Sequence, residues 1–116
     1  MSNGLKGIFE LQRVFSKYFN VKSNMPLEDK EKHTKDYILA LLDECHEVLR
    51  ETNWKHWKTT KKPVNIDKVK EEIIDVFIFL IDLCIVWDID DKELIDIANK
   101  KIKNNFDRYY NANTKK

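Results

Sequence analysis

Glu44, Glu47 and Glu51 follow one another at steps of three and four residues, and Glu72 and Asp75 repeat the three-residue step further along the chain. At about 100° per residue, each set shares one side of a helix. Carboxylates spaced in this way repel one another unless a cation, a lysine or water lies between them. If the two helices pack side by side, Glu44, Glu47, Glu72 and Asp75 converge. Hard oxygen donors without cysteine or paired histidine suit Mg²⁺, or Mn²⁺, rather than zinc. A di-iron centre would require Glu-x-x-His on two helices, and although "DECH" (43–46) hints at it, the second motif offers no histidine. The plain alternative is a solvated acidic face, with Asp75 bonded to a lysine or tyrosine.

Asp75 and Asp82 stand within a run of Ile, Val, Leu and Phe. An ionised carboxylate buried there is costly unless paired, protonated or bound to a cation. Opposite charge comes from Lys101, Asn105 and Arg108, which lie on one edge of an apolar stripe formed by Leu94, Ile95, Ala98, Ile102, Phe106 and Tyr109. A point charge, an amide and a guanidinium fork make a phosphate clamp, or simply complement a helix C-terminus. "NWKHWK" contributes Trp54, Lys55, Trp57 and Lys58, a set that can stack on a base and hold phosphates or else cover a core edge. Gln12 interrupts the apolar face of Ile8, Leu11, Phe15 and Phe19. Its amide either bonds to backbone or meets the edge of a nucleobase.

The elements that must position these residues are all helical. Two glycines and two prolines among 116 residues argue against an all-β fold, and the length supports one domain over residues 1–116. The periodicity predicts helices over about 5–19, 35–52, 67–87 and 91–110, in a bundle-like, oligomeric protomer. Asn65 or Asp67 is the expected N-cap of the third helix, and Asp90 with Glu93 fits a capping box for the fourth. Residues 20–33 read as a polar connection, and "NANTKK" is expected to fray. The third helix is apolar nearly all round, so a second subunit is expected to help cover it. A net charge of +1 predicts no binding of nucleic acid or an anionic membrane. Cys45 and Cys84, each inside an apolar pattern, read as buried free thiols in a reducing cytoplasm.

Taken together, Glu44-Cys-His-Glu47, then Glu72-Ile-Ile-Asp75 after residues 48–71, resembles the all-α NTP pyrophosphatase superfamily, which includes the dimeric dUTPases and the MazG-like nucleotide pyrophosphatases. "FELQ" with Gln12, "RETNWKHWK", "EEIIDVFIFL" and the Lys101/Asn105/Arg108 spacing extend the resemblance over residues 5–110. "ETNWKHWK" looks most like the F-K-x-W segment of the dimeric dUTPases, with Trp54 in place of Phe.

The resemblance implies Mg²⁺-dependent hydrolysis of a deoxynucleoside triphosphate, dUTP first, to the monophosphate and pyrophosphate. It implies Glu44, Glu47, Glu72 and Asp75 as metal ligands, Glu47 as the catalytic carboxylate, and a homodimer more readily than a tetramer. Gln12, Trp54, Lys55, Trp57, Lys58, Lys101, Asn105 and Arg108 would then bind substrate. A MazG-like enzyme acting on dCTP, a purine or a non-standard nucleotide is the alternative within the class. A helical module that docks a basic partner on its acidic stripe is the alternative outside it.

Overall fold

The computed structural model describes residues 3–114, and among them every regular element is helical. Helix α1 (Gly4–Ser16) runs into a 3₁₀ turn, Lys17–Phe19, which Asn20 closes in the left-handed region at φ 63°. Helices α2 (Leu27–Arg50), α3 (Ile66–Val86) and α4 (Asp91–Thr114) follow. α2 begins eight residues earlier than its apolar period alone predicts. Pro26 stands at its N-cap and Glu28 and Asp29 occupy its first turn, a combination that suits a helix start without any apolar stripe. "LEDKEKH" is therefore helix, not connection. Asn65 caps α3 by accepting from the Lys68 N–H at 3.1 Å, and Asp90 caps α4 by accepting from the Glu93 N–H at 2.8 Å. α4 stays helical to Thr114, beyond the predicted end, with Asn113 and Thr114 donating to carbonyls one turn back. The last two residues of "NANTKK" lie outside the described residues.

α2 and α3 pack along each other as the main helix pair, and α1 lies across α3. Phe9, Val21, Met25, Ile81, Ile85 and Val86 form the buried core, with Tyr37, Phe77, Cys84 and Leu94 against it. α4 packs only on α1 to any extent, and Leu94, near its start, is its contribution to the core edge. Its outer stripe stays open: Ile102, Phe106 and Tyr109 are 65%, 65% and 70% exposed. The radius of gyration, 18.1 Å, exceeds the roughly 13–14 Å of a compact domain of this length, as an arm-like helix requires. Ile73, Ile74 and Leu80 on α3 and Leu42 on α2 are exposed too. Cys45 is likewise exposed rather than buried, because the apolar face of α2 is left half open; Cys84 is partly buried, and its thiol is pushed up by desolvation.

α3 ends in a Schellman motif. The Ile89 N–H bonds to the Cys84 carbonyl at 2.8 Å and the Asp88 N–H to the Ile85 carbonyl at 3.1 Å, with Asp88 left-handed at φ 57°. The start of α2 clasps this end. Lys30 pairs with Asp88 at 3.2 Å, and the Trp87 indole N–H donates to Thr34 Oγ1 at 2.8 Å.

Candidate active site

Where α2 and α3 run side by side, Glu44, Glu72 and Asp75 bring carboxylate oxygens within 4.8 Å of one another. Glu72 is 8% exposed, Glu44 half-buried and Asp75 exposed. The apolar run around Asp75 suggests burial, but its side of α3 opens to solvent at this point and Glu72 is the buried member. Among the described residues one cation answers the three acids: Lys68 reaches Glu72 at 3.2 Å, one turn back on α3. That bond and the Glu72 charge push the Lys68 ammonium up. Partial desolvation, followed by the charges of Asp75, Glu72, Asp43 and Glu47, pushes the Glu44 carboxyl up as well. Three converging carboxylates with one lysine leave about two negative charges unanswered. All the donors are hard oxygens and the site is open to water, so the set fits Mg²⁺ or Mn²⁺.

Glu47 departs from the expected quartet. It lies one turn beyond Glu44, but its carboxylate is held by the Arg50 guanidinium at i+3. Arg50 in turn opens onto a basic loop. Asn53 closes residues 53–62 by accepting from the Lys62 N–H at 3.0 Å and donating to the Lys62 carbonyl at 2.8 Å. Inside this loop a hollow of about 270 Å³ is lined by Arg50, Asn53, Trp54, Lys55, Lys58 and Lys61, among others. Trp54 and Trp57 meet edge to face at 5.9 Å, and the Lys55 ammonium sits 5.3 Å from the centre of the Trp54 ring. The predicted loop residues are thus gathered around this hollow and the tryptophan pair, and Arg50, which lines the hollow, holds Glu47, one turn beyond Glu44. Arg50, Lys61 and Lys62 were not singled out by spacing. The signal for the two lysines is the "TTKK" that follows the tryptophans, which reads as bulk charge until Asn53 folds it back.

Gln12 does not bond to backbone. Its Nε2 donates to Asp82 Oδ1 at 2.9 Å, joining α1 to α3. Lys101, Asn105 and Arg108 all lie on α4, and the Arg108 guanidinium donates to Asn105 Oδ1. These three do not reach the carboxylates of their own chain. α4 packs mainly on α1, and among the described residues no hydrogen bond or ion pair joins these three side chains to α2 or α3.

A family model described as dUTPase matches residues 4–115, nearly the whole chain. An all-helical fold with paired acidic motifs on two adjacent helices is what that class of nucleotide hydrolase requires, and the chain belongs to the dUTPase family. The family's chemistry is the hydrolysis of a nucleoside triphosphate, a diphosphatase-type reaction. No curated protein and no solved structure matches the chain. No helix among the described residues is long and apolar enough to cross a membrane.

Proposed function

We propose that the protein hydrolyses a deoxynucleoside triphosphate, dUTP before others, to the monophosphate and pyrophosphate, with Mg²⁺ among Glu44, Glu72 and Asp75. The observation that carries this reading is the convergence of those three carboxylates with Lys68 as the one cation paired to them among the described residues, in a chain of the dUTPase family. Mg²⁺ supplies charge neutralisation of the triphosphate and a lowered pKa for an attacking water. Glu47 is the base. Turned from Arg50 toward Glu44, its carboxylate accepts the proton as the water oxygen bonds to phosphorus and the bridging P–O bond breaks. Lys55 and Lys58 offset charge on the leaving pyrophosphate. Trp54 and Trp57 supply stacking surface, and Gln12 meets the base edge.

The clamp on α4 serves a second copy of the chain. Lys101 and Arg108 stand on the edge of an uncovered apolar stripe, so pairing that buries Ile102, Phe106 and Tyr109 carries two cations toward a cluster that is short of them. A homodimer is the simplest assembly that meets both needs. Two free thiols fit a reducing, cytoplasmic setting.

Pyrophosphate release from dUTP, dCTP, dTTP, dATP and dGTP, with Mg²⁺ and with a chelator, is the direct test. Release from dUTP that the chelator abolishes is expected. No release from any of the five, together with no rise in melting temperature on adding Mg²⁺, would leave only a helical partner-binding module. Preference for another nucleotide would place the chain with the MazG-like enzymes in substrate choice.

A further inference from the structure

Asp82 has no role in the chemistry described above, yet it is costly to keep. It is 7% exposed and stands in the chain between the core residues Ile81 and Ile85. Among the described residues no lysine, arginine or histidine pairs with it. The one hydrogen bond the structure gives it comes from Gln12 Nε2 at 2.9 Å. Tyr37 feels its charge: desolvation, then the charge of Asp82, raise its phenol to about 12. Burial pushes the Asp82 carboxyl up, and the Gln12 bond opposes that. A leucine here would pack without desolvating a charge, so the carboxylate works against stability.

What it does supply is polarity. A glutamine amide is symmetric in shape and can turn either its NH₂ or its oxygen to a ligand. An ionised carboxylate only accepts, so beside Asp82 the NH₂ must face inward and Oε1 must face out. Asp82 also lies seven residues beyond Asp75 on the same side of α3, about 10 Å along the helix axis, comparable to the reach of a nucleoside.

We propose that Asp82 is a positioning residue for base selection. By holding the Gln12 amide it presents Gln12 Oε1 as a fixed acceptor, which favours a base with a ring N–H at that edge, as uracil has, over one with an unprotonated ring nitrogen there, as cytosine has. This rests on Gln12 contacting the base, as set out under Proposed function.

The test is kcat and KM for dUTP and dCTP with Mg²⁺, in the wild type and in Asp82→Asn, Gln12→Leu and the double variant, alongside melting temperature. Asn keeps the shape of Asp but can accept or donate, so the amide polarity is released. The expected result is a dUTP/dCTP ratio of kcat/KM reduced about tenfold in Asp82→Asn, mostly through KM, with little change in kcat. In the double variant the ratio should match that of Gln12→Leu alone, because Asp82 acts only through the amide. Asp82→Asn with an unchanged ratio, whatever its melting temperature, would make Asp82 a structural carboxylate and overturn the proposal. So would a wild type that prefers dCTP. A wild type that hydrolyses none of the nucleotides would instead sink the function on which the proposal rests.

Discussion

Just past the C-terminal end of α3, Asp88 accepts from the Asn24 N–H at 3.0 Å and from Lys30 at 3.2 Å. The backbone bond from Asn24, aided by Lys30, holds its carboxyl below the usual range. Thirteen residues back, about 20 Å along the same helix, Glu72 and Asp75 meet Glu44 with one lysine among three acids. Here the Glu44 carboxyl moves the other way. Both regions are acidic and both tie α3 to a neighbouring segment. The first brings its own counter-charge and is complete as folded; the second is short of positive charge. Residue type does not separate structure from function here, but the balance of partners does.

Removing a ligand from the unbalanced site should have the largest effect. Asp75→Asn is expected to lower turnover by about 10²-fold or more while leaving the metal-free protein as stable or more so, since like charge is removed. Glu47→Gln should cost about 10²–10⁴-fold in kcat. Steady-state pyrophosphate release and melting curves in chelator check both; full activity in either variant would break the comparison at its acidic end.

At the balanced end the expectation reverses. Asp88→Ala should destabilise by on the order of 1 kcal/mol in denaturant titration, with turnover per folded molecule unchanged. Asp88→Gly should lose less, because glycine accepts the left-handed backbone that alanine resists.

Acidification should pull the two regions apart. Glu44 has a raised folded pKa, so it penalises the fold increasingly as pH rises from its ordinary 4.5 through its raised value. Asp82 acts in the same direction from 3.8 upward. Asp88, with a lowered pKa, contributes stability that is present above its ordinary 3.8 and is lost as pH falls through its folded value. In chelator, the melting temperature should therefore rise as pH falls through the raised Glu44 value toward 4.5, then drop below about pH 3.8. Mg²⁺ should lift the neutral limb and flatten that rise. A chelator curve that shows no rise as pH falls toward 4.5 would argue that Lys68 alone balances the cluster. The smallest effect concerns the link between cluster and loop. Arg50→Ala frees Glu47 and should lower the Mg²⁺ concentration for half-maximal activity by about two- to threefold.

The helices and the placement of Glu44, Glu72 and Asp75 were legible because both depend on periodicity, and a three-residue step puts carboxylates on one side whatever packs nearby. What was hidden depends on partners distant in sequence. Residues 27–34 show no apolar stripe, and their helix is set by Pro26 and the clasp on Trp87 and Asp88. Glu47 matches Glu44 in spacing, but Arg50 one turn on diverts it, and the sequence cannot rank a local ion pair against a site across helices. Position 12 looks better suited to leucine from α1 alone; Asp82, 70 residues away, reverses that, since its loss of the amide would leave a buried carboxylate without its one donor. Lys101, Asn105 and Arg108 do share α4, as their spacing requires, but their separation from the acids follows from how α4 leaves the core, which no local pattern records.

α4 is 24 residues long, about 36 Å, and its anchorage in the core is at Leu94, near one end. A helix of that length is marginal in water without packing, so its outer turns have almost no free energy of their own to resist opening. In amide hydrogen exchange, the backbone N–H groups from about Ile102 to Thr114 should form a separate opening unit, exchanging far faster at high dilution than those of Ile81–Val86. Raising the protein concentration should slow them toward the core rate as a second copy covers Phe106 and Tyr109. In the proposed dimer the order of this arm would be a property of the population rather than of the single chain, and dilution alone should act on it as a denaturant acts on the rest.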